Sequence, residues 1–137
     1  MNDTSHSILV VEDDPHQATL LKRVCSRGDP QAHVHVTRSA EEAIAYLNRP
    51  GPDTGVASPV PDIILLDVLM EGIGGLGFLE WYSQQPTFQH IHVVVFTSSS
   101  DDDLARRCMS LGAREFIVKS WDFTEVLPVL LQNLADR

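Results

Sequence analysis

Ile8–Val11 and Ile63–Leu66 are unbroken runs of four aliphatic residues, and both stop at carboxylates. Glu12, Asp13 and Asp14 follow the first run, and Asp67 follows the second. A strand with one face in water alternates apolar with polar residues, whereas an unbroken run is buried on both faces. "IHVVVFT" (Ile91–Thr97) reads as a further strand and "EFIVK" (Glu115–Lys119) as the last. His33–Thr37 alternates around Val34 and Val36 and reads as a fifth strand. Stretches of helical spacing follow each of them. Alternating strands and helices, with strands buried on both sides, predict a parallel sheet covered by helices on either face.

Local signals place the helices. Asp14-Pro15 is a cap followed by proline at the first helical position. Ala18, Leu21, Val24 and Cys25 recur at helical spacing, and Gly28 ends that segment. Ser39 and Glu42 form a capping box, in which the serine hydroxyl takes the Glu42 amide and the Glu42 carboxylate reaches back. That helix is expected to run to about Leu47. Leu76, Leu79, Trp81 and Tyr82 predict a helix after Gly75. Asp101, Asp102 and Asp103 open another, where acids suit the positive end of the dipole. Leu104, Cys108 and Leu111 mark its buried face, and Gly112 its C′ residue. Asp122 and Glu125 pair to open a last helix to about Ala135, which Pro128 is expected to bend. Residues 49–61, with Pro50, Gly51, Pro52, Gly55, Pro59 and Pro61, predict a long surface excursion.

Totals exclude some functions. The chain has 137 residues, enough for one domain, with 43% apolar and 21% charged residues. Its net charge of −9 disfavours binding to nucleic acid or anionic membrane, which want Lys and Arg. No apolar run approaches the roughly 18 residues of a membrane span, and "MNDTSHS" is no signal segment. Cys25 and Cys108, without metal-ligand spacing, are expected to be buried thiols of a reducing, cytoplasmic compartment.

In open parallel sheets, ligands bind beyond the carboxyl ends of the strands, where strand order reverses. With the order 2-1-3-4-5, Glu12, Asp13 and Asp67 meet at one edge, joined by Thr97 and Lys119. Clustered carboxylates are tolerable when a cation neutralises them, and few hard oxygen ligands with room for water suit Mg2+. Asp13 and Asp67 are the expected direct ligands, and Glu12 acts through a water. Asp14 is left as a helix cap. Such a site can receive a phosphoryl group: Asp67 as nucleophile forms an acyl phosphate, Mg2+ and Lys119 hold the transferring oxygens, and Thr97 donates a hydrogen bond.

Five pieces in order, "VVEDDP", "PDIILLDVLM", the glycines 74–75, "VVVFTSSS" and "GAREFIVKSWDF", resemble the response-regulator receiver family over essentially the whole chain. The resemblance implies a flavodoxin-like (βα)5 fold and a single domain over residues 1–137. It makes Asp67 the phosphoacceptor, Glu12 and Asp13 the acidic pair, and the Leu69 backbone carbonyl a further metal ligand. It makes Thr97 the switch hydroxyl, Lys119 the conserved-type lysine and Phe116 the aromatic switch. It also implies a phosphoryl donor, either a histidine kinase or a histidine phosphotransfer protein, and a signalling role rather than an enzyme's. The finer likeness, in the Pro-rich loop, "SAEEAIAYL" and "KSWDF", is to stand-alone, chemotaxis-type receivers serving bacterial phytochrome-type kinases. Glu71, Gly74 and Ser120 depart from the family pattern. They bear on loop shape and on the Lys119-Ser120 peptide geometry, and remove no chemical group from the site.

Rival readings are a Mg2+-dependent phosphatase with an aspartyl-phosphate intermediate, a flavin-binding module and a degenerate receiver that acts as a constitutive interaction module. The first would carry an acid where Leu69 stands; the second would need a hydroxyl- and glycine-rich loop where the acids stand. His33/His35 and His90/His92 are H-x-H pairs, read as surface histidines rather than zinc ligands. The apolar residues Val126, Val129 and Leu131 exceed what one helix face needs. Apolar surface beyond what the core needs marks an interaction site, and the resemblance implies where: a homodimer or partner face on the fourth helix, fifth strand and fifth helix, on or near which Phe116 and Trp121 fall.

Overall fold

The strand order settles where the site can be. The computed structural model describes residues 7–28, 30–49, 60–70 and 72–119. Its strands are β1 (Ser7–Val11), β2 (His33–Thr37), β3 (Ile63–Asp67), β4 (His92–Thr97) and β5 (Glu115–Val118). Its helices are α1 (Pro15–Gly28), α2 (Ala40–Leu47), α3 (Gly74–Tyr82) and α4 (Asp102–Ser110), with a short 3-10 turn at Pro86–Phe88. All strand pairs are parallel, in the order β2-β1-β3-β4-β5. The expected order is therefore the observed one, and β1 and β3 are neighbours. The expected last helix with Asp122, Glu125, Trp121, Pro128 and its apolar excess lies outside the described residues. So do Glu71, the Lys119-Ser120 bond and positions 50–59.

Side chains of alternate strand residues build two core layers. Ile8, Val10, Ile63, Leu65, Val94 and Phe96 pack with Leu21, Val24 and Cys25 of α1. Leu9, Val11, Ile64, Leu66, Val93 and Val95 pack on the other face with α2, with Phe78, Leu79 and Tyr82 of α3, and with Cys108 of α4. Both cysteines are buried free thiols, as expected. Cys108 is the fully buried residue of α4, and Leu104 and the cap residue Leu111, predicted to share its buried face, are half-buried and pack against the same layer.

The helix ends follow their sequence signals with one correction. Asp14 caps α1, its carboxylate accepting from the amides of His16 and Gln17. Ser39 accepts from the Glu42 amide at 3.0 Å, but Glu42 reaches back to the amide of Arg38 at 3.3 Å, one residue before the cap. Asp101 accepts from the amides of Asp103 and Leu104. Gly112, at φ +112°, closes α4: its amide bonds to Met109 and that of Ala113 to Cys108, satisfying two terminal carbonyls.

The histidine pairs need a second correction. His33, His35 and His90 are exposed, but His92 is not a surface residue. It opens an interior strand, its side chain is 13% exposed, and its Nε2 lies 3.6 Å from Glu115 on β5. His35 stacks on Tyr46 at 4.2 Å between ring centroids. Both environments are those of packed histidines rather than of zinc ligands.

Candidate functional site

Two backbone devices fix the buried carboxylates. The Glu12 amide donates to Thr37 at 3.0 Å, which carries the β1–β2 ladder one residue past β1. That holds Glu12 inside, at 1% exposure. Asp67 is the last residue of β3 and 5% exposed, and its Oδ1 accepts from the Leu69 amide at 2.9 Å. Asp13, partly exposed, stands at the mouth. One oxygen each from Glu12, Asp13 and Asp67 lies within 4.8 Å of the others. Among the described residues no other group of acids, histidines or cysteines could hold an ion.

Lys119 supplies the positive charge. Its amide donates to the Thr97 carbonyl at 2.6 Å, which extends the β4–β5 ladder one residue past β5 and fixes Lys119 at the carboxyl edge of the sheet. Its Nζ stands 3.5 Å from Glu12 Oε1 and 3.5 Å from Asp67 Oδ2. Thr97 is fully buried, and its hydroxyl oxygen accepts from the Ser99 amide at 3.2 Å.

The charge balance is unequal. Three carboxylates and one ammonium leave two negative charges when all are ionised. Burial pushes the Glu12 carboxyl up from its ordinary 4.5 to about 7, and the neighbouring charge of Asp67 adds to the rise. The Asp14 amide, donating to Glu12 at 3.2 Å, and the Lys119 ammonium oppose it. The donors are all oxygen and carry a surplus of negative charge, which fits a hard divalent cation. The three oxygens, all within 4.8 Å of one another, are close enough for Asp13 and Asp67 to hold such a cation directly and Glu12 through a water.

The predicted site residues fall into two groups. Glu12, Asp13, Asp67 and Lys119 converge, with Thr97 ending the strand beside Asp67. Leu69 lies in the loop after β3 and is 53% exposed. Phe116 sits on β5, paired with Val95, half-buried against the core layer away from α1. One neighbour of the site was not anticipated. The Phe96 ring lies 4.8 Å below the Lys119 ammonium, centroid to Nζ. Its only sequence signal is an aromatic ring ending a valine run, just before Thr97.

The family model for the response regulator receiver domain matches residues 8–130. Among curated proteins, the chain is 28% identical over 119 residues to "Probable methanogenesis regulatory protein FilR2" of Methanothrix harundinacea, covering 87% of this chain and 75% of that one. It is 27% identical over 133 residues to "Response regulator Rcp1" of Synechocystis sp., covering 95% and 89%. Across the first such relatives, the chain spans from 27% to 89% of their length. The crystal structure of the phosphorylated cyanobacterial phytochrome response regulator RcpA superposes with a TM-score of 0.78 at 26% identity, covering 96% of this chain and 92% of that one. The Mn2+-bound form of Rcp1 superposes with a TM-score of 0.76 at 27% identity, covering 94% and 91%.

Proposed function

The chain belongs to the response regulator receiver domain family of two-component signalling, and on that premise we propose that it accepts a phosphoryl group on Asp67 in a Mg2+-dependent reaction. The observation that carries the reading is the convergence of Glu12, Asp13 and Lys119 on the Asp67 carboxylate. The donor is a phosphohistidine of a sensor kinase or of a phosphotransfer protein. One Asp67 carboxylate oxygen forms the new O–P bond as the P–N bond breaks. The electron pair stays with the imidazole nitrogen that leaves.

Glu12, Asp13, Asp67 and the Leu69 carbonyl are the groups that would hold the cation, with Glu12 acting through a water. Bound there, a divalent cation offsets the acidic surplus and the charge spread over the transferring oxygens. Lys119 binds one of those oxygens through its ammonium. Thr97 turns its hydroxyl to the acyl phosphate, and Phe116 follows it as the switch. The chain is then a phosphoacceptor that assists its own reaction, rather than an enzyme working on separate substrates.

The likeness to RcpA and Rcp1 supports a phytochrome-type kinase as donor. Output is through protein contact, by a homodimer or a partner on α4, β5 and the segment after them. Met109 on α4 and Val118 on β5, 44% and 38% exposed, favour that surface. The working compartment is the cytoplasm; no helix among the described residues is long and apolar enough to cross a membrane.

Incubation with phosphoramidate and Mg2+, followed by intact mass and peptide mapping, tests the reaction. The wild type should gain one phosphoryl group on the peptide holding Asp67, and Asp67→Asn should gain none while keeping its fold. Full phosphorylation of that variant would move the acceptor elsewhere.

A further inference from the structure

Lys119 is held less firmly by its carboxylates than its position suggests. Both of its Nζ–O distances are 3.5 Å, longer than a good hydrogen bond. The side chain ends a flexible four-carbon stem, which costs conformational entropy to fix. It also leaves from the end of β5, an edge strand on which no side chain is fully buried. Something else must keep the ammonium over the site.

The sheet register supplies it. Phe96 pairs with Asp67 on one side and with Ile117 on the other. Residues 67, 96, 117 and 119 therefore belong to one face of the sheet by alternation. Phe96 is 1% exposed, and its ring centroid lies 4.8 Å from Lys119 Nζ, inside the range of a cation–π contact. The ring is anchored in the core layer that packs with Leu21, Val24 and Cys25 of α1, and the Lys119 ammonium lies over its face.

We propose that Phe96 is a positioning residue for phosphoryl transfer, a buried aromatic platform that holds the Lys119 ammonium over Asp67. The proposal rests on the reading of Asp67 as phosphoacceptor. A ring face suits the task because its attraction is broad in direction and occupies no oxygen acceptor. N–H donors turned away from the ring stay available for carboxylate and phosphoryl oxygens. The ammonium can then move from Glu12 toward a new phosphoryl oxygen without leaving its support.

Replacing Phe96 with phenylalanines carrying one, two and three ring fluorines drains the ring's negative face while nearly preserving its size. Phe96→Leu removes the ring and keeps an apolar core residue. Two quantities are read: the proton shifts of the Lys119 ε-methylene, and the rate of phosphorylation by phosphoramidate with Mg2+. In the unphosphorylated wild type the ε-methylene protons should be displaced upfield by the ring, and Phe96→Leu should return them to the ordinary position. The rate should fall stepwise with each fluorine, reaching about tenfold for three fluorines or for Leu, as expected for a desolvated cation–π contact. Melting temperatures across the fluorinated series should stay level. Unshifted Lys119 protons in the wild type, or a rate flat across the series, would overturn the platform. A wild type that takes no phosphoryl group while its Lys119 protons remain shifted would overturn the Asp67 reading, and the catalytic purpose of the platform with it.

Discussion

Asp14 turns its carboxylate to the amides of His16 and Gln17, at 2.9 and 3.4 Å. Asp13 instead puts an oxygen within 4.8 Å of oxygens of Glu12 and Asp67. The neighbours should therefore separate on substitution. Asp14→Ala should lower stability by about 1 kcal/mol, the worth of a helix cap, and leave Mg2+ affinity nearly unchanged. Asp13→Ala should keep the stability and weaken Mg2+ binding at least tenfold in a titration followed by NMR shifts. Equal loss in both would mean that the strand end is rotated relative to this description. Glu12 gives a pH dependence. Its carboxyl ionises at about 7 in the folded chain and at 4.5 when unfolded. Between those values the folded state holds a proton that the unfolded state has lost. Metal-free stability from this group is full below pH 4.5 and falls as pH rises to about 7, where it levels. The span is on the order of 1–3 kcal/mol. Mg2+ competes with that proton, so its apparent affinity should rise with pH up to about 7 and then flatten. Denaturant melts from pH 5 to 8, with and without Mg2+, measure both. The acids and Lys119 were legible in the sequence because a side chain at the end of a buried run has only one place to go. Phe96 was not, because its role depends on which residue of β3 and which of β5 it sits beside.

At the scale of elements, the carboxyl end of β3 is jammed against the start of α3. A methyl group on Gly75 would stand 2.3 Å from the Val68 Cα and 2.7 Å from the Asp67 carbonyl oxygen. Neither is a flexible atom that can swing aside. Gly75→Ala should cost at least about 1–3 kcal/mol, and should slow phosphorylation by shifting the loop after Asp67. Thermal melts and the phosphoramidate rate would register both. An unchanged melting temperature would show that α3 can retreat freely. The close packing explains why glycine stands there, which composition alone does not reveal. Among the described residues, strand and helix positions were legible to within about a residue, since apolar runs, caps and Gly112 mark them locally. The errors came where tertiary contact decides. Glu42 bonds to the Arg38 amide rather than to its cap, and His92 is held inside, 3.6 Å from Glu115.

Over the whole molecule, a net charge of −9 surrounds a site that is itself short of positive charge. That field repels polyanions, so a mobility-shift titration with random duplex DNA at low salt should show no binding at micromolar protein. Salt-sensitive retardation would contradict it. The assembly of the site also joins parts of the chain that lie far apart: the Lys119–Glu12 contact spans 107 positions. β5 has four residues, borders a single strand among the described residues and buries none of its side chains fully. Short edge segments of that kind open most readily in native proteins. Peeling β5 away would pull the ammonium from Glu12 and Asp67 and leave two buried acids facing each other. The grip on the sheet's rim is therefore set by charge at the sheet's tip. Additional negative charge on Asp67 makes the ammonium harder to withdraw, and the rim becomes a latch that tightens when the tip is loaded.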